Sequence, residues 1–289
     1  MFKALKILFL LILLAMLIFV SCGYTPPENL TKLIEMEGYT LYCPLWSPGG
    51  KIYFLVAKCL FDEIHLYEGS LWVCDTNGAN LRLILTGKFG CFDVSPDGGQ
   101  IALTCGRLYN EIGEPEGGPL IIIDSTGLLI DTFPTSQQYI VVARFSRDGE
   151  KIYYSAYSET LRGYFRANID GTNEEFLMWD DYPDFFEITD GGRLIHHLGV
   201  CDLSPTDTNK VIWTNPPSDK YASHELRMRN LLTDIDSSLD VRAYRDVGVC
   251  FPYWSPSGRK IVFSVAEDDA GWETHHYGYG ELWILDLTK

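Results

Sequence analysis

Three cysteines recur at one place in a repeating chain. Cys43, Cys91 and Cys250 each stand four or five residues before a turn serine, at Ser47, Ser95 and Ser255. Thiolates suit soft or borderline metal ions such as zinc, and imidazole is their usual companion. His65, His275 and His276 fall in the segments that follow those turns, so Cys and His ligands converging on one metal is the first chemistry to weigh. Packing is the competing reading, since free cysteine behaves as a small apolar residue suited to crowded strands. No Cys-x-x-Cys is present, and neighbours such as His196 and His197 on one strand point to opposite faces. No cofactor is therefore predicted, with metal kept as the alternative.

Aromatic residues form a second constellation. Tyr67, Tyr109, Trp272, Tyr277 and Tyr279, with Glu63, Glu111, Glu114 and Glu116, lie in three long connections, 58–69, 106–118 and 266–280. Long loops on a rigid scaffold are where binding residues concentrate. Aromatic side chains supply contact area, and acidic ones select basic partners. These residues are the candidate binding face. Enzyme signatures are missing: there is no Gly-x-Ser-x-Gly, His224-Glu225 does not extend to a zinc-protease helix motif, and no Gly-rich phosphate loop occurs. Paired carboxylates such as Asp180-Asp181 and Asp268-Asp269 read as solvated turns.

The elements that must carry these residues are written in a repeat. Trp46-Ser47-Pro48-Gly49-Gly50-Lys51-Ile52 returns as Val94-Ser95-Pro96-Asp97-Gly98-Gly99-Gln100-Ile101, as Phe145-Ser146-Arg147-Asp148-Gly149-Glu150-Lys151-Ile152, and as Trp254-Ser255-Pro256-Ser257-Gly258-Arg259-Lys260-Ile261. Leu203-Ser204-Pro205 is a looser copy. Each reads as a strand end, a tight turn using Pro and Gly, and a β-branched or aromatic second strand. A second hairpin follows in each unit, as in Val73-Cys74-Asp75-Thr76-Asn77-Gly78 and Ile123-Asp124-Ser125-Thr126-Gly127. Four strands per unit at this period predict an all-β fold, a β-propeller. A strand near Leu30 is expected to complete the blade whose other strands come from Glu281–Thr288, closing the ring.

Blade number is open between five and six. Phe186-Glu187-Ile188-Thr189-Asp190-Gly191-Gly192 also fits the phrase but lies close to Ser204. With Ser204 as anchor there are five blades and an inserted hairpin. With Thr189 as anchor, Val200-Cys201-Asp202 becomes a third strand and a degenerate sixth blade occupies 216–247. The spacing from Ser146 to Thr189 matches a blade without insertions and favours six.

The phrase Trp-Ser-Pro-Asp-Gly-Lys-x-Ile, followed by a strand ending in Asp-x-x-Gly, resembles the TolB-type propeller repeat, across nearly all of the chain after residue 29. The resemblance implies the fold and carries no functional residue with it. Residues 1–21 have a basic start at Lys3 and Lys6 and an apolar run from Ile7 to Val20, and Phe19-Val20-Ser21-Cys22 resembles the lipobox of bacterial lipoproteins. That resemblance implies a lipoprotein signal peptide over 1–21, acylation of Cys22 and a cell-envelope location, with a tether over 22–29 leading to the propeller that the repeats predict over 30–289. Gly23 after the cysteine favours the outer membrane if the source has two. Excluding Cys22, an odd number of cysteines remains, so at least one thiol is unpaired; Cys59 with another loop cysteine is the one pairing the sequence suggests.

A formal net charge of −16 excludes nucleic acid as a natural partner. The expected function is therefore a lipid-anchored envelope module that binds a protein, peptide or glycan without catalysis. The alternative is a metal-dependent lyase or hydrolase acting on polysaccharide at the channel mouth.

Overall fold

The computed structural model describes residues 28–58, 69–106, 117–158, 161–181, 185–189, 191–196, 200–214, 226–239, 241, 247–267 and 280–289. All regular structure among them is antiparallel β. After β1 (Leu30–Met36), blade 1 comprises β2 (Tyr39–Trp46), β3 (Lys51–Lys58), β4 (Gly69–Asp75) and the first half of β5 (Arg82–Val94). The second half of β5 opens blade 2 and pairs with β6 (Gln100–Cys105), followed by β7 (Leu120–Asp124) and β8 (Leu129–Thr132). One strand thus serves as outer strand of one blade and inner strand of the next. Blade 3 is β9 (Tyr139–Phe145), β10 (Lys151–Tyr157), β11 (Arg162–Asn168) and β12 (Glu175–Trp179).

The fourth unit is a hairpin only, β13 (Phe186–Ile188) with β14 (Leu194–His196). Blade 5 is β15 (Val200–Leu203), β16 (Lys210–Thr214), β17 (Leu226–Asn230) and β18 (Ile235–Ser238). Blade 6 is β19 (Val247–Trp254), β20 (Lys260–Glu267) and β21 (Gly280–Asp286), with β1 as its fourth strand through pairs such as Leu30 with Leu285 and Met36 with Gly280. The expected closure is thus observed. The reading of Val200–Asp202 as a third strand, with a degenerate blade over 216–247, is corrected: Val200–Leu203 is the inner strand of a complete blade anchored by Ser204, whose outer strands are Leu226–Asn230 and Ile235–Ser238, and Thr189 anchors the reduced unit.

The repeated phrase has a hydrogen-bond reason. Ser95 Oγ accepts from Gln100 N at 2.9 Å and donates to Asp97 Oδ1 at 2.6 Å, while Gly98 N donates to Ser95 O. Gly98 takes φ 73°, a conformation that costs a residue with a Cβ about 1 kcal/mol or more. Ser146, Asp148 and Lys151 repeat the arrangement, and Thr189 Oγ1 accepts from Arg193 N in the hairpin unit. The residue just before each anchor, Trp46, Val94, Phe145, Ile188, Leu203 or Trp254, is buried.

Apolar clusters fill the spaces between successive units. Trp46 and Phe54 meet Val262 and Leu282 between blades 1 and 6; Ala102 and Ile122 meet Phe145 and Tyr154 between blades 2 and 3; Ile212 and Leu226 meet Trp254 and Trp283 between blades 5 and 6. Burying such side chains contributes about 1.5–3 kcal/mol each, so the ring is held mainly between its sheets. Its inner strands are consequently rigid supports for whatever faces the channel.

Candidate functional site in the central channel

The residues two positions before the six anchors are Leu45, Asp93, Arg144, Glu187, Asp202 and Tyr253. The ring brings all six to one cavity of about 310 Å³, rimmed by Pro48, Pro96, Pro205 and Pro256 of the Ser-Pro turns. The charged members are almost out of water, with relative exposures of 5% for Asp93 and Asp202, 8% for Arg144 and 9% for Glu187. Burying a charge without a partner is costly, and each has partners. Arg144 Nε donates to Glu187 Oε1 at 3.1 Å, and its Nη1 donates to the carbonyls of Ala143 at 3.1 Å and Phe92 at 3.4 Å.

Two carboxylates clasp the next inner strand by its backbone. Phe145 N donates to Asp93 Oδ2 at 2.7 Å, joining blade 2 to blade 3, and Trp254 N donates to Asp202 Oδ2 at 2.6 Å, joining blade 5 to blade 6. At the rim, Arg147 Nη2 donates to the carbonyl of Ser204 at 3.1 Å. The indole N–H of Trp254, packed between blades 5 and 6, is buried with no hydrogen-bond partner among the described residues.

The electrostatics follow from burial. Desolvation raises Asp93 to about 6 against the pull of Arg144, and raises Glu187 to about 7. Desolvation and then the charge of Glu187 push Asp202 well above the usual carboxylate range. Burial, reinforced by these acids, also raises the Tyr253 phenol. The site thus holds more carboxyl groups than cations, retains protons, and gains from any cation that enters.

A second layer lies two residues further back on the same strands, where Cys43, Cys91, Phe185 and Phe251 line a void of about 20 Å³. Cys43 and Cys91 face the void together, and Arg144 Nη1 donates to Cys91 Sγ at 3.6 Å. The thiol of Cys43, then Arg144, pulls the Cys91 thiol down to about 7 against burial, whereas burial pushes Cys43 well up. Cys250 is one residue out of phase, five rather than four residues before its turn serine, so Phe251, with φ 53° where Cys43 has 48°, takes the place in the layer. Burial raises the Cys250 thiol to about 12.

Of the sequence candidates, then, Cys43 and Cys91 come together and Cys250 stands beside them. Among the described residues no group of three or more His, Cys, Asp or Glu side chains is placed to hold a metal ion. Cys22, Cys59, Tyr67, Tyr109, Trp272, Tyr277, Tyr279, His65, His275, His276 and the loop glutamates lie outside the described residues. Sequence reasoning missed Asp93, Arg144, Glu187, Asp202 and Tyr253. A signal was present one residue upstream of the repeated phrase, where charged or phenolic residues recur on strands that are otherwise apolar. A second cavity between blades 1 and 2 is lined by charges already engaged, Lys51 with Asp75 and Asn80 with Asp75.

Fold and site together define a β-propeller with a charged central channel. No protein-family model matches the sequence, and no curated protein matches it. Similar solved structures include TolB from Acinetobacter baumannii, 16% identical over 86% of this chain with a TM-score of 0.42. They also include an oligogalacturonate lyase from Vibrio parahaemolyticus, 13% identical over 88% of this chain and 79% of that one with a TM-score of 0.49. The chain covers 54% of the length of that TolB. The strand pairing above defines the propeller, and these likenesses carry no residue roles.

Proposed function

We propose that this protein is a non-catalytic binding module, lipid-anchored at the cell envelope through Cys22, that receives a peptide segment of a partner protein at the Ser-Pro mouth of the channel. The observation that carries this reading is the mouth cavity of about 310 Å³, with Asp93, Glu187 and Asp202 on its wall. A basic side chain of a peptide supplies the cation that these carboxyl groups lack. Glycans offer hydroxyl groups but no cation, and fit the acidic excess less well. The cavity is at the small end of ligand pockets, suited to one or two side chains. The expected aromatic face belongs to loops outside the described residues, and the reading does not depend on it.

Location supports the same picture. Asn29 O accepts from Asp286 N at 2.8 Å, and Leu30 pairs with Leu285, so the chain enters the propeller at the rim that carries the mouth. Residues 22–29 extended reach at most about 26–29 Å. A lipid at Cys22 therefore keeps the mouth close to the bilayer, where a membrane-associated partner would present its segment.

The test is calorimetric binding of short basic, neutral and acidic peptides to the full-length chain in detergent. Basic peptides are expected to bind, to weaken with added salt, and to lose about tenfold or more in affinity on Glu187→Gln or Asp202→Asn, as for a lost charge-assisted hydrogen bond. Equal binding of all three peptide classes, or none, would overturn the mouth as the site. Incorporation of labelled fatty acid that persists in Cys22→Ser would overturn the anchor.

A further inference from the structure

The inner layer of the channel carries an observation independent of what the mouth binds. Cys43 and Cys91 reach it from the inner strands of neighbouring blades and line the same small void. Pro44 cannot donate to the sheet, β2 has an irregular register between Tyr42 and Leu45, and Cys43 is held there at φ 48°. That position is disfavoured for a residue with a Cβ by about 1–3 kcal/mol and persists only where the surroundings enforce it. Arg144 faces Cys91 at 3.6 Å and is itself fixed by Glu187. A guanidinium beside a thiol is the arrangement that favours thiolate, the nucleophilic form.

Access is restricted in a specific way. The void beside the thiols, about 20 Å³, holds roughly one water-sized molecule. Leu45, Arg144 and Tyr253 line both this void and the mouth cavity, so the thiols lie directly beneath the mouth. Bulky disulfides and flavin-type oxidants do not fit such a space, whereas hydrogen peroxide is little larger than water.

We propose that Cys91 and Cys43 form a peroxide-reactive thiol pair inside the channel, with Cys91 attacking and Cys43 resolving. The Cys91 thiolate sulfur attacks one oxygen of hydrogen peroxide and the O–O bond breaks, leaving a sulfenic acid on Cys91 and releasing hydroxide. The Cys43 sulfur then attacks the Cys91 sulfur; the S–S bond forms, the S–O bond breaks, and the departing hydroxyl leaves as water with the Cys43 proton. Two thiol sulfurs are oxidised and one peroxide is reduced. Losing the thiolate leaves Arg144 to the carboxylates alone, so the oxidised channel is less acidic in effect than the reduced one.

The experiment treats the full-length chain in detergent with stoichiometric hydrogen peroxide, alkylates free thiols after denaturation, and maps the peptides. The expected product is one disulfide-linked peptide pair, Cys43 with Cys91, lighter by the two thiol hydrogens. Cys74, whose thiol burial pushes up to about 12, should still be alkylated. Cys91 is expected to be consumed at least about tenfold faster than Cys74, as thiolate character dictates. In Cys43→Ala the sulfenic acid should persist and be trapped by dimedone. Cys91 surviving while Cys74 oxidises, or Cys91 bonded to a cysteine other than Cys43, would overturn the proposal on the unmodified protein, whatever the variant's folding.

Discussion

The two layers of the channel are built by the same strands two residues apart, yet they solve burial in different ways. The layer at the mouth gathers Asp93, Arg144, Glu187, Asp202 and Tyr253 and satisfies them with strand backbone and one ion pair. The layer beneath is apolar except for its thiols. Arg144 is the cation that reaches both, joined to Glu187 on one side and to Cys91 on the other. Strand alternation places residues i and i+2 on one side, so a six-fold repeat converts sequence positions into rings. A ring need not repeat one residue type, and in this one only Asp occurs twice, as Asp93 and Asp202.

Breaking the link between the layers should have the largest effect. Arg144→Met strips the buried acids of their cation, and removal of one partner of a buried pair typically costs about 3–5 kcal/mol. Denaturant unfolding should show that loss, and adding Glu187→Gln should recover part of it. Failure of the second substitution to recover any stability would mean that Arg144 acts through its carbonyl contacts rather than through Glu187.

The next effect concerns protons. Because Asp93 and Glu187 titrate near 6 and 7 rather than at their ordinary 3.8 and 4.5, the folded chain binds their protons more tightly than the unfolded chain. Their stabilising contribution is fully present below about pH 4 and is lost as pH rises through 6 to 7, by a few kcal/mol at most. Thermal unfolding across pH 4–8 should show this decline, and Asp93→Asn with Glu187→Gln should flatten it. A slope unchanged in the double variant would place the titrating groups elsewhere.

A smaller effect separates the role of Asp202 as acceptor from its role as acid. Asp202→Ala leaves Trp254 N unsatisfied and should cost about 1–3 kcal/mol, whereas Asp202→Asn keeps an acceptor and should cost less than half of that. The smallest is in the turns: Ser95→Ala removes the acceptor for Gln100 N and should cost about 1 kcal/mol in the same unfolding assay. Equal losses for the two Asp202 variants would show that its charge, not its geometry, matters to the fold.

Much of the architecture was legible in the residues. The Ser-Pro-x-Gly phrase, the Asp-x-x-Gly hairpins and the orphan strand at Leu30 are local chemistry: hydroxyl and carboxylate acceptors for specific turn N–H groups, and glycine where φ is positive. Such signals act over a few residues, so a single sequence displays them. The reduced fourth unit was misread because Val200–Leu203 looks alike as inner or third strand, and only its pairing with Lys210–Thr214 decides between them. The cysteines show the same division. Their distances from the turns, four residues for Cys43 and Cys91 and five for Cys250, were visible, but that four residues back marks a layer facing one small void is decided by the ring. The channel site left only a faint trace, the recurrence of charged or phenolic residues two positions before the turn anchors, and the reason is physical. Asp93, Arg144, Glu187 and Asp202 are scattered over more than a hundred residues of sequence, each alone resembling an ordinary surface charge, and only the closing of the ring removes them from water and sets them against one another.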